Sequence, residues 1–112
     1  MAHSLVIAAT DAELPAMLRH AFQRCVFTTA EQLRATIHDK PGPLVIVLDA
    51  TQADVVVGLN RSDVRAVVLL TPQKVPVVFG KPVVAVVERP LFAPKVLLAI
   101  KLALAELTPR GP

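Results

Sequence analysis

Tryptophan and tyrosine are missing from this sequence, cysteine occurs once, and glycine appears only four times in 112 residues. Each scarcity excludes something. A lone Cys25 rules out an internal disulfide, and without a second thiol or a histidine cluster there is no zinc set. A reducing, cytosolic compartment fits such a chain best, and Cys25 itself reads as a small buried hydrophobe. Four Phe are the only aromatics, so the core must be aliphatic and no aromatic is interleaved among the cations to stack bases. Those cations, from Arg19 and Arg24 through Arg61 and Arg65 to Lys95 and Lys101, are spread singly along the chain. A net charge of +3 and a pI near 9.5 therefore read as a mildly basic solvated surface, not a nucleic-acid face. The N-terminus lacks a basic segment followed by a long apolar core, so no signal peptide is expected. The most hydrophobic stretch, 91–107, is interrupted by Pro94, Lys95, Lys101 and Glu106. It falls short of the roughly 20 apolar residues of a membrane span.

What is present is apolar and patterned. Hydrophobic residues make up 54% and charged residues 19%, enough for one packed domain. The domain is expected over 1–107, with 108–112 (Thr-Pro-Arg-Gly-Pro) as a tail or linker. Leu44-Val45-Ile46-Val47-Leu48 is an unbroken run that stops at Asp49, and two later runs stop at Thr71 and at Arg89-Pro90. Short β-branched runs bounded by turn residues are what strands buried on both faces look like. In open parallel sheets ligands sit beyond the carboxyl ends of the strands. A carboxylate, a hydroxyl and a cation at three such ends would then be neighbours.

The rest of the chain supplies the alternation that such a sheet needs. Leu5 to Ala9 reads as a first strand. Thr10 and Glu13 form an S/T-x-x-E capping box, Pro15 suits a first turn, and Leu14, Met17, Leu18, Ala21 and Phe22 follow helical spacing. Cys25 to Thr28 is a short second strand. Thr28 with Glu31, or Thr29 with Gln32, caps a second helix that buries Ala30, Leu33 and Ile37. Pro41-Gly42-Pro43 stops that helix and leads into the strand ending at Asp49. Between Thr51 and Asp63 there is room for one short helix, although the run Val55 to Gly58 is poor helix material. A fourth strand spans Val64 to Leu70 and a fifth Val83 to Val87. After Thr71 only about eleven residues precede the fifth strand, and Pro72, Pro76, Gly80 and Pro82 among them leave room for a turn of helix at most, while Val75 to Phe79 can itself be extended. Phe92 to Leu107 reads as the last helix.

On these residues the chain resembles the receiver domain of bacterial response regulators. "PLVIVLDAT" places Asp49 where that family carries its phosphate-accepting aspartate. "VVLLT" places Thr71 at the switch hydroxyl, and "VVERPL" offers Arg89-Pro90 where the family has Lys-Pro. The resemblance implies an α/β fold: a flavodoxin-like, doubly wound parallel sheet of five strands in the order 2-1-3-4-5. The fourth helix is shortened or missing. A cis bond before Pro90 is also implied.

The departures from the family define the expected function. The two adjacent acids that help the acceptor hold Mg²⁺ are replaced by Ala9 and Thr10, with Asp11 coming only afterwards. The Met-Pro and Gly that usually follow the acceptor are missing from "DATQADVVVG". Phosphoryl transfer to a carboxylate brings two anions together and depends on cations to neutralise them. The expectation is therefore a pseudo-receiver: no enzyme, no cofactor, an acceptor-equivalent Asp49 without phosphorylation, and a role in bacterial signalling through protein contact. The alternative is a working receiver phosphorylated on Asp49, with Mg²⁺ held by Asp11 and Asp49. A third possibility is an unrelated α/β domain with a structural role in an oligomer. The last helix is apolar over most of its circumference. Its residues Val96, Leu97, Ile100, Lys101 and Leu104, with the 71–82 region, are the expected surface for a protein partner or a second copy. No membrane or nucleic-acid contact is expected.

Overall fold

A computed structural model describes residues 4–9, 11, 13–22, 25–29, 31–39, 43–52, 63–70, 83–88 and 91–107. In chain order the elements are β1 (Ser4–Ile7), α1 (Leu14–Ala21), β2 (Cys25–Phe27), α2 (Leu33–Asp39), β3 (Leu44–Asp49), a 3₁₀ turn (Ala50–Gln52), β4 (Val64–Leu70), β5 (Val83–Glu88) and α3 (Ala93–Leu107). The five strands form one sheet in the order β2-β1-β3-β4-β5, and every neighbouring pair is parallel. This is the doubly wound, flavodoxin-like arrangement that the resemblance implies.

The two faces of the sheet explain why the strand runs are continuous and not alternating. Leu5, Ile7, Val45, Val47, Val67 and Leu69 pack with Leu14 and Leu18 of α1 and with Val96, Ile100 and Ala103 of α3. Val6, Leu44, Ile46, Leu48, Ala66 and Val68 pack on the opposite face with Leu33 and Ile37 of α2. Successive side chains on a strand point to opposite faces. Apolar residues at every position are thus the cost-free solution only where helices cover both sides. Leu44 through Leu48 are completely buried. No polar or charged side chain is buried among the described residues.

The register shifts once. Ala66 pairs with Val83 and Val67 with Ala85, which leaves Val84 as an extra residue on β5. The shift turns the strand locally: Val83 packs on the α2 face, whereas Val84 and Ala85 both pack on the other.

The helix starts are set by local chemistry. At α2 the second of the two sequence alternatives holds, since the Gln32 N–H donates to Thr29 Oγ1 at 3.2 Å. Thr28 instead meets Thr36 across 3.1 Å, and the Thr36 hydroxyl donates to the Gln32 carbonyl at 2.9 Å. Having spent its one proton there, Thr36 can only accept from Thr28.

At α1 the expected capping box is corrected. The helix begins at Leu14, Glu13 stands at the N-cap with φ −77° and ψ −17°, and its side chain makes no cap hydrogen bond. The reason is Pro15. A helix capped by Thr10 would place Pro15 beyond the first turn, where its missing N–H and its ring clash both count. Starting at Leu14 keeps the proline inside the first turn.

The ends of α3 are tied down separately. The Phe92 carbonyl accepts from the N–H groups of Lys95 and Val96 at 3.0 and 3.1 Å. Near the C-terminus, Arg65 on β4 reaches Glu106 at 3.8 Å while its guanidinium also donates to the Val64 carbonyl at 2.8 Å. No described helix is long and apolar enough to cross a membrane. Thr10, Ala30, the short helix expected between 51 and 63, the shortened fourth helix with the extended stretch 75–79, and the tail 108–112 lie outside the described residues, apart from the 3₁₀ turn and Asp63.

Candidate functional site

The carboxyl edge of the sheet is reached by asking where each strand stops. β3 lies at the centre of the sheet and ends on Asp49, half-buried, immediately before the 3₁₀ turn Ala50–Gln52. Asp49 stands beside Leu69 of β4 in register. On the other side, Ile7 pairs with Val47, and the Ala8 N–H extends the ladder by donating to the Val47 carbonyl at 2.8 Å. Ala9 follows, two residues beyond the end of β1. Its methyl group packs against the core shared with α1 and α3.

Asp11 follows, partly exposed, with its backbone carbonyl accepting from the Leu14 N–H at 3.3 Å. β4 and β5 end side by side at the same edge, with Leu70 paired to Glu88. Thr71, Arg89 and Pro90, the residues next in sequence, lie outside the described residues. Among the described residues no three His, Cys, Asp or Glu side chains come together so as to hold a metal ion. Mg²⁺ demands a near-octahedral oxygen set.

A second site lies along α3, and here the expected contact surface is corrected. Val96 and Ile100 are both 0% exposed and face the sheet, together with Ala99 and Ala103. Leu97 and Leu104 are partly buried against the same core, and Lys101 is exposed. The spacing 96, 99, 100, 103 is the i, i+3, i+4, i+7 pattern of an inward face. The exposed apolar side chains are instead Leu98 and Leu102, at 59% and 51%, joined by Phe92 at 59% and by Val86 of the edge strand at 42%. Leu98 and Leu102 line a groove of about 490 Å³ that runs between α3 and the segment Ala85–Glu88, with Glu88 and Lys95 on its walls. The signal that sequence reading missed is the pair of alanines. Ala99 and Ala103 complete the buried stripe and let the helix approach the sheet, which turns the bulkier leucines outward.

The opposite edge carries less. On β2 the Arg19 guanidinium sits 5.1 Å from the centroid of the Phe27 ring. Cys25, partly buried, points its thiol at the Phe22 carbonyl, 3.2 Å away. Burial pushes its pKa up, and the nearby charge of Arg19 opposes that only in part. A raised pKa lowers the fraction of reactive thiolate at neutral pH.

Comparison with family models, with curated proteins and with solved structures finds no match for this chain.

Proposed function

We propose that this chain is a degenerate receiver-like module, a pseudo-receiver that acts by docking to another protein in bacterial signalling or regulation, without catalysis. The observation that carries the proposal is the exposed apolar stripe of Leu98 and Leu102 beside β5, the last strand of the sheet among the described residues. Monomeric proteins seldom leave contiguous apolar surface without using or protecting it. Leu97, Lys101 and Leu104 border the stripe, and the 71–82 segment belongs to the same proposed contact, made with a protein partner or a second copy. The lone cysteine favours a cytoplasmic setting.

A second reading, a receiver that is phosphorylated on Asp49, is favoured by the position of that carboxylate at the tip of the central strand. One experiment separates the two. The protein is incubated with a small phosphodonor such as acetyl phosphate in the presence of Mg²⁺, and its intact mass is measured. An unchanged mass is expected. Gain of one phosphoryl group that disappears in Asp49→Asn overturns the pseudo-receiver reading in favour of the second. The docking surface is tested apart from this by sedimentation equilibrium, and with a partner by titration. Leu98→Glu combined with Leu102→Glu is expected to weaken association at least tenfold while leaving far-UV circular dichroism unchanged.

A further inference from the structure

We draw no further inference here: the strongest candidate, the apolar groove between α3 and β5, belongs to the contact surface already proposed, and nothing in the structure shows what covers it.

Discussion

Consider truncating two residues of α3 that lie two positions apart, Ile100→Ala and Leu98→Ala. Both delete apolar volume from the same helix, and both substitutions favour the helix intrinsically, so propensity does not separate them. Burial does. Ile100 is 0% exposed against the sheet, whereas Leu98 is 59% exposed. Removing a fully buried Ile side chain down to Ala costs about 2–5 kcal/mol, through lost transfer free energy plus a residual cavity. A surface change away from special features usually stays within about 0.5 kcal/mol. A small domain has a total stability of roughly 5–15 kcal/mol, so Ile100→Ala removes a large share of it. With a urea slope of about 2 kcal/mol per M, the midpoint should fall by about 1–2.5 M for Ile100→Ala and by less than about 0.3 M for Leu98→Ala. The assay is urea unfolding followed by circular dichroism at the helical band, since a chain without Trp or Tyr offers no useful intrinsic fluorescence. Equal midpoints for the two variants, or the reverse order, would refute the assignment of the inward face of α3. The proposed contact surface would fall with it.

Other expectations follow from single contacts. Thr29→Ala deletes the cap of α2 and should cost about 1 kcal/mol, while Thr29→Ser should recover most of it; equal unfolding midpoints for wild type and alanine variant would remove Thr29 from that role. A double-mutant cycle over Arg65 and Glu106 should give a coupling of about 0.2–1 kcal/mol that shrinks with added salt, because the pair is long and half in water. The Cys25 pKa is raised by folding, so its contribution to stability is complete below the ordinary thiol range and is lost as pH rises through the raised value. Alkylation near pH 8 should accordingly be slower in the native protein than in urea. A native rate matching the unfolded one would contradict the burial of this thiol.

How far the sequence reaches depends on whether a feature is local. The unbroken run Leu44–Leu48 announces a strand covered on both faces, and from it the placement of Asp49 at the sheet's carboxyl edge follows directly. Leu33 and Ile37, Leu14 and Leu18 were legible for the same reason: helical spacing and burial agree. Where two local signals compete, pattern alone does not decide. Thr10 and Glu13 spell a capping box, yet Pro15 moves the helix start and leaves Glu13 at the N-cap. In α3 nearly every position is apolar, so no polar stripe marks the outside. Only packing against β4 and β5 reveals that Val96 and Ile100 point inward and Leu98 outward. The extra residue at Val84 has no glycine or proline beside it within the strand to announce it. The Arg65–Glu106 contact joins residues distant in sequence, which no spacing rule connects.

At the carboxyl edge the decisive quantity is charge, and its scale can be set without a ligand. Bringing a phosphodonor anion to about 4 Å from the Asp49 carboxylate opposes two unit charges, a repulsion of about 4 kcal/mol at a surface-like dielectric of about 20. Left unopposed, that repulsion corresponds to a rate penalty of about a thousandfold. A divalent ion held by neighbouring acids removes it, and that is the purpose such acids serve in phosphoryl transfer. Ala9, which follows β1, is partly buried against an apolar core that contains no buried charge among the described residues. Introducing an acid at Ala9 is expected to cost packing energy, because its methyl group packs, partly buried, against that core.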